Sequence, residues 1–405
     1  MHSAFPSLVS FALLLLGGCG HRPSPDVHNP SSTPVVAVRL LGTADIPAGT
    51  FVDGVEFGGI SGLDRAMDGG FWAISDDGGG DKGPPRLYAL SIDHDSAGAV
   101  SVQIHRQIHL LQSDDSPFPV TAKTVDPEAL RAAPGGDLYW SSEGIWNEDP
   151  SARVQPFLRQ MNIDGRFVRE WTLPPEYHYG DNKTFGARSN KVLEALAVAP
   201  DGTVFIANED ALIPDGPMSS LKAGSVVRVT AMDAETARPR AQYAYELPAI
   251  PVAAAPASIF PADNGLSDLL AVSNTDFIAV ERAFAMGVGN TIRLVHAGIT
   301  PATTGVLGRP LLAKSGYTPM TRRVLVEMPL SWMGVKVDNI EGISWGKTLA
   351  NGHRTLVLVA DNNFRGSTQF IVLEVSNLDA LGSLAGDNTS VGRDVRHPSF
   401  GRGRR

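Results

Sequence analysis

The chain has 405 residues, of which 43% are hydrophobic and 19% are charged, and its formal net charge is −9. This balance is typical of a globular protein, and the length is compatible with one large all-β domain. The negative charge argues against nucleic acid as a partner, because nucleic-acid binding needs a basic surface. The presence of a single cysteine excludes an intramolecular disulfide.

The first segment, residues 1–18, is predicted to be a lipoprotein signal peptide. Residues 11–16 form an apolar run too short to span a bilayer, and Leu16-Gly17-Gly18-Cys19 resembles a bacterial lipobox. Cys19 is therefore the predicted lipidation site. Gly20, and not an aspartate, follows the cysteine, which favours an outer-membrane anchor facing the periplasm in a Gram-negative organism. The alternative is a plain signal peptide with a chance cysteine, because residues 1–10 contain no Lys or Arg.

Three further segments follow the signal peptide. Residues 19–34 are rich in Pro and Ser and are predicted to be a flexible tether. Residues 35–380 form the predicted folded domain, and residues 381–405, which end in GRGRR, are a predicted disordered basic tail. Within the domain, short β-branched and aromatic runs alternate with Gly, Pro, Asp and Asn turns. That pattern is typical of an all-β sandwich, barrel or propeller.

Five units in this domain share one pattern, in which a strand opens near an acidic residue, turns, and returns to an acidic or amide cluster. The units begin at Gly58, Asp126, Leu193, Leu266 and Asp338. Their spacing of roughly 65–80 residues suits a four-stranded propeller blade. Turn signals such as Pro200-Asp201-Gly202 and Asn351-Gly352 join the first two strands of a unit.

The blade count follows from the strands around these pairs. A third strand follows every pair, and a fourth follows the first four units only. Residues 35–41 form a strand before the first unit, so this strand is predicted to complete the last blade and to remove an exposed edge. The sequence therefore predicts a single five-bladed β-propeller. A sixth blade between Gly298 and Thr321 remains an alternative.

Acidic residues recur where one face of the propeller should lie, because the start of a first strand and the end of a second strand meet there. Glu128, Glu194 and Glu341 are placed at the channel mouth as candidate catalytic residues. The candidate metal ligands on the surrounding loops are Asp76, Asp77, Glu143, Glu209, Asp361 and Asn362. The first unit has Gly59 where the others have glutamate.

A ring of oxygen ligands suits Ca²⁺, which would also offset the repulsion between the carboxylates. The alternative is that these residues cap turns or form ion pairs between blades. Arg282 and Arg293, both in the fourth unit, are candidate substrate-binding residues. They could neutralise the acidic ring structurally or bind a phosphate bidentately.

The motifs GGISGLD, WAISDDGG, DPEAL, LEALAVAPDGTVFIANE and NIEGISW resemble the bacterial phytase-like family, also called "esterase-like activity of phytase". The resemblance extends from Gly58 to Val375. It implies a secreted or lipid-anchored propeller, and the family name implies phosphoester or ester hydrolysis. The β-propeller phytases proper are similar in architecture only. They have six blades and use Ca²⁺ at an acidic channel mouth, but their ligands do not align onto this chain.

Three functions follow as hypotheses. The first is a Ca²⁺-dependent phosphoester or ester hydrolase with a small-molecule substrate. The second is a non-catalytic binding or scaffold propeller of the cell envelope with structural Ca²⁺. The third is a serine esterase, which is disfavoured because the chain has no GxSxG motif. The protein is expected to be a monomer, with membrane contact through the lipid anchor only.

Overall fold

The computed structural model describes residues 36–76, 82–120, 124–180, 185–309, 316–378 and 381. Two expected functional residues, Cys19 and Asp77, lie outside these residues. Within them, no helix has the length and apolar character needed to cross a membrane.

Strands and three-residue 3-10 helices make up the described regular structure. The strands are β1 (Ala37–Ile46), β2 (Phe51–Val52), β3 (Val55–Glu56), β4 (Ile60–Arg65), β5 (Phe71–Ser75), β6 (Arg86–His94), β7 (Val100–His109), β8 (Pro127–Ala132), β9 (Leu138–Ser142), β10 (Phe157–Met161), β11 (Phe167–Glu170), β12 (Leu193–Val198), β13 (Val204–Asn208), β14 (Ser225–Asp233), β15 (Arg238–Leu247), β16 (Asp263–Ala271), β17 (Asp276–Ala285), β18 (Gly289–Gly298), β19 (Thr321–Pro329), β20 (Ser331–Trp332), β21 (Val335–Lys336), β22 (Ile340–Trp345), β23 (Arg354–Ala360) and β24 (Thr368–Ser376). The 3-10 helices are Pro150–Ala152, Pro175–Tyr177 and Ile213–Asp215.

Five four-stranded antiparallel sheets form the blades of an all-β propeller, as predicted. Blades 1 to 4 are β4–β7, β8–β11, β12–β15 and β16–β19 in chain order. Blade 5 has the order β1-β24-β23-β22, so the N-terminal strand closes the ring. Its register runs from Ala37 opposite Ser376 to Ile46 opposite Thr368, which makes β1 longer than the predicted strand over residues 35–41.

The alternative of a sixth blade between Gly298 and Thr321 is wrong for the described part of that segment. Val306 is buried against Val226 and Ala244 of blade 3, and its N–H donates to the Gln242 carbonyl at 2.7 Å. The connection therefore covers the outside of blade 3, because its few apolar residues find a partner there.

The core is divided among the spaces between blades. Besides the small cluster around Val306, the described residues form five buried apolar clusters, one at each interface between neighbouring blades. Between blades 3 and 4, for example, the rings of Phe205 and Phe277 lie 4.7 Å apart in an edge-to-face arrangement. Each blade is therefore stabilised by burying both faces of its sheet, which explains why the middle strands are almost continuously apolar.

A buried ion pair on the propeller axis joins all five blades. Arg131 of β8 donates to Asp268 of β16 at 2.7 Å and to the Leu63 carbonyl of β4 at 2.9 Å. The Asp268 carboxylate also accepts the N–H groups of Leu196 in β12 at 3.5 Å and Ile343 in β22 at 3.0 Å. This pair connects the innermost strands, so one salt bridge holds the register of the whole ring.

The closing strand is also fixed by a polar cluster around Glu374 of β24. Its carboxylate accepts hydrogen bonds from Asn351 at 2.8 Å, His353 at 2.6 Å and Arg39 at 2.7 Å. The bonds from Asn351 and His353, followed by the interaction with Arg39, lower the pKa of Glu374 to about 2. Because Arg39 belongs to β1, this cluster ties the two ends of the folded domain together.

Candidate functional site

Every innermost strand has a β-bulge, and the five bulges lie toward the same face of the propeller. The pairing register shifts by one residue between Ile60 and Gly62, and corresponding shifts occur in the other four blades. The residues in the bulges are Ser61, Glu128, Glu194, Ser267 and Glu341. A bulge re-aims a side chain without ending the strand. The repeated sequence unit therefore presents five equivalent positions around the axis.

This register corrects the alignment of the first unit. The residue equivalent to the glutamates is Ser61, not Gly59, and its buried hydroxyl has no hydrogen-bond partner among the described residues. Gly59 precedes the strand and has a positive φ of 60°. A Cβ there would lie 1.9 Å from the Asp76 carboxylate, so glycine is required for Asp76 to approach.

A cavity of about 760 Å³ opens at the bulged ends of the inner strands. Its described lining contains eight carboxylates and four basic side chains. They are Asp76, Asp126, Glu128, Glu194, Asp263, Asp338, Glu341 and Asp361, and Lys191, Arg282, Lys336 and Arg365. The three glutamates predicted for the channel mouth thus line one cavity together with Asp76 and Asp361. The negative charge exceeds the positive charge within it, which favours a cation.

Two of the glutamates are buried without a hydrogen-bond donor among the described residues. The carboxylates of Glu128 and Glu194 line the cavity, both residues are buried, and neither carboxylate accepts a hydrogen bond within the described part of the chain. Burial, reinforced by Glu194, raises the pKa of Glu128 well above its usual value. Burial, reinforced by Glu209 and Glu143, does the same to the pKa of Glu194. Charged buried carboxylates are costly unless a cation or donor faces them.

The opposite wall of the cavity shows the same effect in a second pair. Burial and the nearby Asp361 raise the pKa of Glu341 to about 8, although Asn339 donates to this carboxylate at 2.9 Å. Burial and the nearby Asp76 raise the pKa of Asp361 to about 8 as well. Carboxylates from the neighbouring blades 1 and 5 therefore repel each other at this wall of the cavity.

One group of three carboxylates has the spacing of a metal site. Asp126, Glu128 and Glu143 each offer an oxygen, and the three oxygens lie within 4.8 Å of one another. Oxygens bound to Ca²⁺ at 2.3–2.6 Å are at most about 5 Å apart, so the three can share one ion. Glu143 also accepts the Val192 N–H at 3.3 Å. The donor set, which is all oxygen and negatively charged, fits Ca²⁺.

Most of the chain matches a known family model. A family model described as phytase-like, esterase-like activity of phytase, matches residues 55–364. The chain belongs to this phytase-like family. No curated protein matches the chain. The resemblance expected from the sequence motifs is thereby confirmed.

Solved structures resemble the phytase-like propeller only distantly. An endo-1,4-β-xylanase from Bacteroides thetaiotaomicron is 11% identical, with 79% of this chain and 95% of that chain covered and a TM-score of 0.41. A gluconolactonase from Xanthomonas campestris is 9% identical, with 82% and 97% covered and a TM-score of 0.32. An aldose sugar dehydrogenase from Streptomyces coelicolor is 12% identical, with 85% and 100% covered and a TM-score of 0.38. Scores this low support no conclusion about function.

Glu209 of the phytase-like propeller, a candidate metal ligand, is committed to ion pairs. Its oxygens accept from Lys191 and Arg282, each at 2.7 Å. A Cβ on Gly265 would lie 2.3 Å from the Glu209 carboxylate, so this glycine makes room for the contact. Burial opposes the charge on Arg282, but Glu209, Glu341 and Glu194 outweigh it and raise the pKa of this arginine. Arg282 thus takes the structural role that the sequence left open.

The second candidate substrate-binding arginine, Arg293, does not reach the cavity, which corrects its predicted position. It lies opposite Glu281 in the β17–β18 ladder, whereas Arg282 is the next residue along β17. Opposite residues share a face of the sheet and successive residues alternate, so the two arginines point to different faces. Arg293 instead pairs with Glu327 of β19 at 2.6 Å.

Asn362 lines the cavity, but its amide is used to shape the loop that carries it. Its oxygen accepts the N–H groups of Gly59 at 2.9 Å and Phe364 at 3.0 Å, and its nitrogen donates to the Gly366 carbonyl at 2.7 Å. Asn363 and Phe364 both have positive φ angles, of 47° and 51°. Left-handed residues in succession are held only by surrounding contacts, so this loop is rigidly placed beside the cavity.

Sequence reasoning missed several lining residues. Asp126 and Asp338 each precede an inner-strand glutamate by two or three positions, and this recurrence was a usable signal. Lys336 and Arg365 lie on the blade 5 rim, and neither has a carboxylate partner among the described residues. Lys336 ends the hairpin β20–β21, and the equivalent hairpin before blade 1, β2–β3, has Glu56 at the corresponding position, so the repeat does not predict a basic side chain there. No histidine appears in the described lining, which weighs against a serine esterase there.

Proposed function

We propose that this phytase-like propeller is a Ca²⁺-dependent hydrolase of small phosphoesters or esters, acting in the acidic cavity. The observation that carries the proposal is the convergence of buried carboxylates from separate blades, two of them without a hydrogen-bond donor, around a cavity of about 760 Å³. Carboxylates in this state are stabilised by a divalent ion. The description of the family supports hydrolysis as the reaction class.

Asp126, Glu128 and Glu143 would hold the ion. A bound Ca²⁺ would polarise a phosphoryl oxygen and lower the pKa of a bound water. Glu194 adjoins Glu128 and would act as the general base that takes a proton from the bound water. Lys336 and Arg365 on the rim could pair with the anionic group of the substrate.

The test is turnover of p-nitrophenyl phosphate and p-nitrophenyl acetate across a Ca²⁺ titration. Glu194→Gln should lower kcat by about 10²–10⁴-fold if Glu194 is the base. Glu128→Gln should weaken the dependence on Ca²⁺ as well as lower the rate. The matched control is Glu170→Gln on the exposed edge strand β11, which should leave both unchanged.

A different result would support the scaffold hypothesis. Ca²⁺ at 100 times its Kd stabilises a protein by about 2.7 kcal/mol. If Ca²⁺ raises the melting temperature and Glu128→Gln removes that rise, but no ester is turned over, the cavity is a structural ion site. If Ca²⁺ changes neither the melting temperature nor turnover, the ion site itself is refuted.

The location of the protein is part of the proposal. The protein would be lipid-anchored at Cys19 in the outer membrane, face the periplasm and act as a monomer. Cys19→Ser should move it from the membrane fraction to the soluble fraction. Retention of Cys19→Ser in the membrane fraction would count against the anchor.

A further inference from the structure

The tip of blade 4 exposes a cluster of large apolar side chains on the same face as the cavity. Ile259 and Phe260, in the loop between β15 and β16, are 82% and 59% exposed. Phe284 and Val288, from the end of β17 and the turn that follows it, are 36% and 41% exposed. We call these four residues the apolar tip. Phe284 also lines the cavity, so the tip is continuous with its rim.

The loop that carries Ile259 and Phe260 contains no charged residue. Residues 247–262, LPAIPVAAAPASIFPA, contain no Asp, Glu, Lys or Arg, although 19% of the whole chain is charged. Exposed loops are normally polar, and contiguous exposed apolar surface usually marks a binding site. A run of 16 uncharged residues, about half of them exposed, beside a highly charged cavity therefore needs a functional explanation.

The loop is docked on the blade. The Ala255 N–H donates to the Met286 carbonyl at 2.8 Å, and the Ser258 N–H donates to the Ala255 carbonyl at 2.9 Å. The Ser258 hydroxyl donates to the Phe260 carbonyl at 3.0 Å. A Cβ on Gly287 would lie 2.7 Å from the Ala255 side chain, so loop and turn are in close contact. Because the loop is already fixed with its apolar side chains outward, binding through them would cost little further conformational entropy.

We infer that the apolar tip inserts into a neutral lipid surface. Four side chains of about 150–250 Å² each, at these exposures, present on the order of 400 Å², about half of what each partner contributes to a stable protein interface. A small, protruding and uncharged apolar surface fits shallow insertion into a bilayer instead. The excess of carboxylates around the cavity disfavours an anionic surface, so the partner is a zwitterionic one. This surface is additional to the lipid anchor expected from the sequence and is independent of catalysis.

Site-specific labelling tests the inference, because Cys19 is the only cysteine. In the full chain carrying Cys19→Ser, Phe260→Cys is labelled with the environment-sensitive dye NBD and mixed with phosphatidylcholine vesicles. The control is Met67→Cys with the same label. Met67 is 77% exposed but lies in the β4–β5 turn, at the opposite end of a blade from the cavity. NBD emission should rise several-fold with a blue shift at position 260 and stay constant at position 67.

A second variant and three refuting outcomes complete the test. Ile259→Ser in the labelled Phe260→Cys chain should raise the lipid concentration needed for half-maximal emission about tenfold. No rise at position 260, or equal rises at both positions, would overturn the inference. A rise at position 260 that follows protein concentration without vesicles would also overturn it, since it would show contact with a second copy of the chain.

Discussion

Removing the charge of Asp268 tests whether the axial ion pair holds the five blades together. Asp268→Asn keeps the shape of the side chain but leaves the Arg131 guanidinium buried without its counter-ion, since both residues are fully buried. Burial outweighs Arg131 and raises the pKa of Asp268 to about 6, so the carboxylate is ionised at pH 7.5. Breaking a buried pair by removing one partner costs about 3–5 kcal/mol.

The expected change in melting temperature follows from the size of the domain. At about 2.1 cal/mol/K per residue, roughly 340 folded residues have an unfolding entropy of ~0.7 kcal/mol/K. A loss of about 3–5 kcal/mol therefore lowers the melting temperature by about 4–7 °C. Circular dichroism at pH 7.5 measures this shift, and the free energies come from denaturant unfolding at the same pH.

The surface pair Arg166–Asp115 provides the control. Its N–O distance of 2.8 Å nearly equals the 2.7 Å of the axial pair, but its side chains are 55% and 49% exposed. Asp115→Asn should cost at most about 1 kcal/mol. Arg131→Met combined with Asp268→Asn should cost less than the sum of the single changes, because neither charge is then stranded. If Asp268→Asn costs no more than Asp115→Asn, the axial pair is not what joins the blades.

Three further predictions concern pH and backbone geometry. Glu374→Gln should lower the melting temperature at pH 7 and flatten the dependence of the melting temperature on pH in the acid range, as thermal melts from pH 7 to pH 3 can measure. The folded-state pKa of Glu374, about 2, lies below the unfolded value. The wild-type carboxylate therefore stabilises the protein above about pH 4.5 and loses that contribution as the pH falls toward 2. In EDTA, raising the pH from 6 to 9 should destabilise the wild type, because burial and Asp76 raise the pKa of Asp361 to about 8 and unfolding favours its ionisation. Asp361→Asn should reduce this loss in thermal melts. An unchanged pH profile in the variant would contradict the raised pKa of Asp361. In denaturant unfolding, Gly59→Ala should destabilise the protein by more than the ~1–2 kcal/mol of a left-handed conformation, because its Cβ would also meet Asp76. The control is Gly202→Ala, which has a positive φ and open space and should cost only the conformational part. Equal costs for the two variants would argue against the close approach of Asp76 to Gly59.

Much of the fold could be predicted because it depends on local signals. Asp-Gly and Asn-Gly turns and alternating strands recur in each unit, and an unpaired first strand implies closure of the last blade. The prediction that the three glutamates stand at equivalent positions rested on the same repeat. The assignment of Gly59 to this position was wrong, although the segments ISGL, LEAL and IEGI align Ser61 with Glu194 and Glu341 without a gap. The equivalent bulges show that alignment directly.

By itself, the sequence determined a propeller of four-stranded blades, the way the ring closes and the gathering of acidic residues at one face, since hydrophobic periodicity and turn chemistry act between near neighbours. The structure decided between five and six blades, because the sequence left a sixth blade open. Only the tertiary structure decided which carboxylates are compensated. Glu209 is held by Lys191 and Arg282, whereas Glu128 and Glu194 face a cavity without a donor. The reason is physical: an ion pair between blades depends on how far neighbouring sheets are rotated about the axis and on which face each strand presents. Those two quantities arise from packing the whole ring.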